Sequence, residues 1–337
     1  MPVSHDDSRQ PPDVSAEQPD AQEAPGTAGP TPTAATQPIS TEPLAPQPIL
    51  SQLRAIAADI KLSHSVFALP FALLATFLAA KGFPGYTKLL LIVICMVLAR
   101  TVGMAANRIL DAQLDALNPR TARRAIPAGR VSAGTYLLVL GLSAVLFHAT
   151  CSAFFFMYDN AWPAVLSVPV LAWLSCYPLM KRYTRLCHYY LGIALALAPM
   201  CACLAIAGEV QSFAVVMSLA VALWTAGFDI LYATQDVKSD HETGVYSIPA
   251  TIGIRRALWI ARGSHIAAAL LLLFLPYFAP QLGPIYSIGA IAAAILLFAQ
   301  HTLVTENDLS RLNLAFFTLN GCVSLLVGVL GIVDVLS

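Results

Sequence analysis

Charge is scarce in this chain of 337 residues. Only 11% are Asp, Glu, Lys or Arg, and 57% are hydrophobic, with a mean hydropathy of +0.69. A soluble domain carries about 25% charged residues, so this composition excludes a solvated globular protein and points to a membrane protein. Cysteine pairing signals are missing as well. The seven cysteines, at 95, 151, 176, 187, 201, 203 and 322, lie in or beside apolar runs and form no C-x-x-C. They read as small apolar residues rather than as disulfides or metal ligands. His148, His188, His265 and His301 are scattered without metal-ligand spacing, and structural roles are expected for them.

The formal net charge of zero conceals an uneven distribution. Residues 1–48 hold seven acids (Asp6, Asp7, Asp13, Glu17, Asp20, Glu23 and Glu42) and one base, Arg9. The remainder therefore carries six more bases than acids. The 1–48 segment is rich in Pro, Ala, Thr and Gln and almost free of large apolar residues. It cannot bury enough surface to offset ordering entropy, so a disordered tail is expected, followed by a membrane domain over 49–337. The segment lacks the basic start and apolar centre of a secretory signal.

A helix needs about 20 apolar residues to cross a bilayer. Nine spans are expected, at 64–81, 88–110, 132–150, 161–180, 187–207, 212–233, 257–279, 284–303 and 312–335. Pro70 predicts a kink or a broken start in the first. The fold class is thus all-α, a polytopic helical bundle. Arg54, Lys61, Arg120, Arg123, Arg124, Arg130, Lys181, Arg182, Arg185, Lys238, Arg255, Arg256, Arg262 and Arg311 all fall on one side of nine alternating spans, with only Lys81 and Lys88 on the other. Lysine and arginine collect in cytoplasmic loops. The expected topology has the N-terminus in the cytoplasm and the C-terminus on the opposite side, in the cell's inner (cytoplasmic) membrane. No nucleic-acid partner is expected.

Two segments concentrate the acids. NRILDAQLD places Asn107, Asp111 and Asp115 four apart, and DILYATQDVKSD brings Asp229, Tyr232, Asp236 and Asp240. A spacing of four stacks side chains on one helical face, where like charges repel. Acids at such helix ends are functional by default. Oxygen-only ligands without nearby His or Cys suit Mg²⁺, which bridges carboxylates to a substrate phosphate. Both segments are followed by bases on the same side, a weak internal repeat that places one site between two halves.

Both segments resemble the signatures of the UbiA superfamily of intramembrane prenyltransferases. One is N-x-x-x-D-x-x-x-D followed by R-T-x-x-R-P-l-x-x-G, beside which this chain has NRILDAQLD and then PRTARRAIPAG. The other is D-x-x-Y-x-x-x-D-x-x-x-D, met by Asp229, Tyr232, Asp236 and Asp240. HSVFALPFALLA, ARTVGMAANRILD and GFDILYATQDVKSD resemble the MqnP-like group, which prenylates a dihydroxynaphthoate on a route to menaquinone and whose members are commonly labelled 4-hydroxybenzoate polyprenyltransferases.

The resemblance implies a nine-helix bundle with a central cavity open toward the cytoplasm. It implies transfer of a polyprenyl group from an allylic diphosphate to an aromatic acid, 4-hydroxybenzoate or 1,4-dihydroxy-6-naphthoate in type, on a ubiquinone or menaquinone pathway. Asp111, Asp115, Asp236 and Asp240, assisted by Asn107, would hold Mg²⁺. Arg120, Arg124 and Lys181 would neutralise the diphosphate, and Tyr232 would face it or the allylic cation. The R-x-D-K-P-x-G-like opening of the 4-hydroxybenzoate enzymes is replaced by IKLSHSVFALPF, so Lys61 or His64 would supply a cation for the acceptor. Arg100, two turns before Asn107, and Asp229 are further acceptor candidates. A haem- or chlorophyll-type relative is an alternative. A cation-coupled transporter would place its acids nearer the bilayer midplane, and the D-G-x-x-A-R pattern of a CDP-alcohol phosphatidyltransferase is absent.

Overall fold

Helix α3 sets the frame. It runs unbroken from Tyr86 to Leu117, and at 1.5 Å per residue its 32 residues reach about 48 Å against a hydrocarbon core of about 30 Å. The expected second span, 88–110, therefore continues past the bilayer as the same helix. Its end carries Asn107, Asp111 and Asp115 beyond the apolar stretch. The computed structural model describes residues 48–60, 67–306 and 308–337. The expected tail, Lys61 and His64 lie outside the described residues.

Among the described residues the chain is all-helical. Helix α1 (Ile49–Ile60) precedes α2 (Leu69–Ala80), and α4 (Ala133–Tyr158) and α5 (Trp162–Cys176) follow α3. Next come α6 (Cys187–Ala207), α7 (Ser212–Ala233), the short α8 (Val237–Thr243) and α9 (Ile248–Ile252), then α10 (Ile254–Phe278), α11 (Pro284–Leu303) and α12 (Asn320–Leu336). Among the described residues, eight helical segments are long and apolar enough to cross a membrane. The first expected span is the exception: α2 has 12 residues, about 18 Å at the usual rise. Pro70 sits in its first turn, where its missing N–H costs no hydrogen bond, so the broken start is observed.

The bundle is arranged for lipid. Leu138, Phe156, Tyr277 and Phe298 point outward and are exposed, as expected where the solvent is hydrocarbon. The core lies where α2, α6, α7, α10, α11 and α12 meet, around Phe71, Leu74, Met217, Trp224, Leu272, Tyr286 and Val327. Small residues let these helices approach closely. A Cβ at Gly192 would collide with the carbonyl of Ala222, tying α6 to α7, and one at Gly328 would strike Pro70, tying α12 to α2.

Regular helix gives way to 3₁₀ turns at two places that bear on the acids. After α5, Tyr177–Arg182 forms a 3₁₀ turn that includes Pro178. After α7, Thr234–Asp236 is also 3₁₀ before α8 resumes. Asp229 and Tyr232 therefore lie on α7, Asp236 ends a tighter turn, and Asp240 lies on α8. The second motif is a bent strip rather than one helical stripe. A π-helical turn, Leu314–Leu319, leads into α12. Asn320 donates from Nδ2 to the carbonyls of Ala315 and Phe316 and accepts from Trp224 and Gln300, bracing that turn.

Candidate active site

The two motifs meet across the bundle through ion pairs. The Asp236 carboxylate accepts two bonds from Arg120, Nε at 3.0 Å and Nη2 at 2.7 Å, in the bidentate geometry that guanidinium and carboxylate favour. Asn118 adds a third bond at 3.0 Å, and its own Oδ1 accepts the Arg120 N–H. Burial acts against the Arg120 charge, but the hydrogen bond and charge of Asp236 outweigh it and raise the Arg120 pKa. The Arg120 guanidinium also lies 5.2 Å from the centre of the Tyr232 ring, with Nη1 3.4 Å from its hydroxyl. Phe316, on the π-helical turn, also packs against that ring, 4.0 Å between centroids.

Helix α3 contributes the other acids. Lys181, delivered by the 3₁₀ turn after α5, donates to Asp111 Oδ2 at 2.6 Å. Arg124 donates to both oxygens of Asp115 at 2.7 Å. Asp240 accepts the Ser247 hydroxyl at 2.6 Å, and the same Ser247 caps α9 by accepting from Ala250. Asn107 bridges two neighbours: Nδ2 donates to Asp111 at 3.0 Å and Oδ1 accepts from Arg108 at 2.8 Å.

The three expected bases thus sit on three of the four expected acids, and Asp240 is held by a hydroxyl instead. No three His, Cys, Asp or Glu among the described residues lie close enough together to hold a metal. The residues nevertheless suit a hard cation. The Asp111 side chain is 1% exposed, and its Oδ1 is buried without a hydrogen-bond partner. An unsatisfied buried oxygen of this kind costs about 1–3 kcal/mol or more, and a divalent ion is a natural partner for it. Asp111, Asp115, Asp236 and Asp240 with Asn107 are the oxygen donors available to such an ion.

Arg100 stands apart from this cluster. Its Nε is buried and unpartnered, at a largely apolar cavity of about 160 Å³ between α3, α4, α5 and α6. Tyr177 lines the same cavity.

Several working residues escaped the sequence reading. Arg108 donates to Asp59 through Nε at 2.9 Å and to the Asp59 carbonyl through Nη2, and Tyr136 donates to the same carboxylate at 2.7 Å. This cluster pins α1 to α3 and α4. Arg182 donates to the Leu110 carbonyl. His188 hydrogen-bonds Asp229 at 2.7 Å, more than the structural role expected of a scattered histidine. Arg108 had a legible signal, a charge beside Asn107 on an apolar helix. Asp59 and His188 had none, because their partners are 49 and 41 residues away.

The model of the UbiA prenyltransferase family matches residues 68–321. This chain belongs to the UbiA prenyltransferase family. It is therefore a prenyltransferase. It is 31% identical over 224 residues to a 4-hydroxybenzoate octaprenyltransferase of Pseudomonas savastanoi pv. phaseolicola, covering 65% of this chain and 72% of that one. It is 30% identical to the enzyme of the same name from Vibrio campbellii, over 69% and 80% of the two chains. The apo structure of a UbiA homolog from Aeropyrum pernix K1 superposes with a TM-score of 0.73 at 30% identity, over 82% of this chain and 99% of that one. A UbiA homolog from Archaeoglobus fulgidus, solved bound to DMAPP and Mg²⁺, shares the fold with a TM-score of 0.63 at 19% identity, over 85% and 99%.

Proposed function

We propose that this UbiA prenyltransferase moves a polyprenyl group from an allylic diphosphate onto an aromatic acid for quinone synthesis. The acids Asp111, Asp115, Asp236 and Asp240, with Asn107, hold Mg²⁺. The observation that carries this reading is the cross-motif pairing itself. Arg120 on Asp236, Lys181 on Asp111 and Arg124 on Asp115 gather three cations and three acids at one end of the bundle. On donor binding these ion pairs open, the acids turn to metal and the bases to diphosphate oxygens. Bound metal would neutralise the charge that develops on the departing diphosphate. Arg120, Arg124 and Lys181 share that task, and Tyr232 lends its ring face to the cationic end of the donor.

The apolar cavity gives the acceptor a place. A carboxylate on Arg100 satisfies its orphan Nε, and the aromatic ring then lies against Tyr177 and the apolar walls. The relatives named 4-hydroxybenzoate octaprenyltransferase support an aromatic acid with this reach. The stretch HSVFALPFALLA favours the dihydroxynaphthoate type as the second reading. The domain spans the cytoplasmic membrane nine times, with the acids on the cytoplasmic side.

The test supplies membranes containing the protein with Mg²⁺, a polyprenyl diphosphate and each acceptor in turn, reading products by mass spectrometry. A prenylated product is expected from one acceptor. Absence of product from both overturns the proposal.

A further inference from the structure

The π-helical turn Leu314–Leu319 sits between Asn313 and α12, inside an otherwise α-helical stretch. No proline or glycine in it forces the wider winding. Such turns are rare because they give up regular i→i+4 bonding, and where they persist they frequently mark functional sites. Asn320 holds this one open. Its side chain is fully buried, and every hydrogen-bonding position of the amide is used. Nδ2 donates to the carbonyl of Ala315 at 3.2 Å and to that of Phe316 at 3.0 Å. Oδ1 accepts from the Trp224 indole at 2.8 Å and from Gln300 Nε2 at 2.9 Å. The turn is thus tied to α7 and α11.

The winding decides which side chain reaches α7. Each residue of an α-helix advances by about 100°. A π turn holds one residue more than an α turn, so relaxing it would rotate the preceding segment by about that angle and carry Phe316 off its neighbours. As the turn stands, the Phe316 ring lies 4.0 Å from that of Tyr232, tilted by 31°. It also meets Phe228 at 5.3 Å and Phe67 at 5.9 Å, nearly edge-on to both. Trp224, Phe228 and Tyr232 follow one another at a spacing of four on α7 and share a face. Trp224, Phe228 and Phe67 are buried, whereas Phe316 and Tyr232, the latter beside the Arg120 guanidinium, are partly exposed.

When the C1–O bond of the donor breaks, the diphosphate leaves with the electron pair and positive charge spreads over C1 and C3 of the allyl group. An aromatic face held against that charge stabilises it, provided the ring is fixed in place before the bond breaks. We propose that Phe316 is a positioning residue for this step: it holds the Tyr232 ring toward the allylic end of the donor, and Asn320 keeps Phe316 there by keeping the turn in its π form. This rests on the donor-facing role of Tyr232 given above. Neither residue belongs to the cluster of acids and bases, so the effect falls on the rate of ionisation rather than on donor binding.

The test uses the purified full chain in detergent with Mg²⁺, the polyprenyl diphosphate and the acceptor that the wild type prenylates. Steady-state kinetics give kcat and both KM values, and thermal unfolding shows that each variant is folded at the assay temperature. Phe316→Leu keeps an apolar side chain without the ring and should lower kcat about tenfold or more, the worth of a desolvated cation–π contact, with both KM values unchanged. Phe316→Tyr keeps the ring and should retain most of the turnover. Asn320→Leu should match the loss in Phe316→Leu, and the double variant should lose no more, since the amide acts through Phe316. If Asn320→Leu does not fold, Gln300→Leu, which frees Asn320 from α11, should lower kcat in the same direction. Wild-type kcat in Phe316→Leu overturns the proposal, as do equal losses in Phe316→Leu and Phe316→Tyr; wild-type kcat in the folded variant at 320 or 300 removes Asn320 from it. Tyr232→Leu separates the two readings. Wild-type kcat there removes the donor-facing role of Tyr232 and this assignment with it, whereas a slow Tyr232→Leu beside an unimpaired Phe316→Leu leaves that role standing and removes only Phe316.

Discussion

Removing Asp59 should weaken the protein far more than removing an average surface acid. Its side chain is 8% exposed and that of Arg108 is 5% exposed, so both charges are desolvated. Asp59→Ala deletes the Arg108 Nε bond at 2.9 Å and the Tyr136 bond at 2.7 Å. The Arg108 guanidinium stays buried, keeping its bonds to Asn107 and to the backbone carbonyl of residue 59. Breaking a buried pair from one side costs about 3–5 kcal/mol, since it leaves an uncompensated charge. The two surviving bonds place this case near the lower end. Arg108→Met alone should cost a similar amount, leaving Asp59 with only the tyrosine. The double variant Asp59→Leu/Arg108→Met should recover most of the loss, because replacing a whole buried pair by apolar groups is often close to neutral. With Asp59→Leu as the matching single variant, the cycle should therefore show a coupling of about 5 kcal/mol, close to the sum of the two single costs and above the range usual for contacting residues. Unfolding in detergent, followed by a dye that reacts with the buried thiols Cys151 and Cys203, measures it. Additive single costs, each below about 1 kcal/mol, would refute the idea that this cluster pins α1 to α3.

Three further outcomes are expected. Arg120→Lys keeps the charge but loses the two-pronged bond to Asp236, and an ammonium cannot replace that fork. It should raise the KM for the prenyl diphosphate about tenfold or more, while the KM for the acceptor is unchanged, in steady-state kinetics; a shift confined to the acceptor would contradict the assignment. Chelation of divalent ions should abolish turnover and Mg²⁺ should restore it, whereas turnover that persists in excess chelator would remove the metal from the mechanism. Gly192→Val forces a side chain into the Ala222 carbonyl and should cost at least about 1–3 kcal/mol by overpacking; unchanged thermal stability in detergent would show that α6 and α7 yield there.

The bundle was legible because a helix in lipid must present long apolar runs, and apolar runs are visible without tertiary information. The one shortfall, α2, is short because Pro70 sets its start, and composition registers an apolar stretch without showing where helical hydrogen bonding begins. The acids were legible for a related reason: with so few charges in the chain, five at two helix ends stand out. Their partners were read partly. Arg120, Arg124 and Lys181 were identified as bases for a diphosphate, but their direct pairing with Asp236, Asp115 and Asp111 emerges only when α3 with the loop after it, the 3₁₀ turn after α5 and the 3₁₀ turn after α7 are brought together. The bend in the second motif was hidden, since Thr234–Asp236 carries no proline or glycine to announce a 3₁₀ turn. Asp59–Arg108–Tyr136 and His188–Asp229 were invisible because each joins residues from different helices, and single charges without periodicity leave no trace in sequence.

The most direct measurement follows diphosphate release and prenylated product together in the purified protein, with Mg²⁺, donor and aromatic acid present. Wild type should yield the two in equal amounts. Asp111→Ala and Asp236→Ala, inserted normally in the membrane, should yield neither, since each removes one motif's share of the site. Equal yields from either variant would contradict a shared metal–diphosphate site between the two motifs.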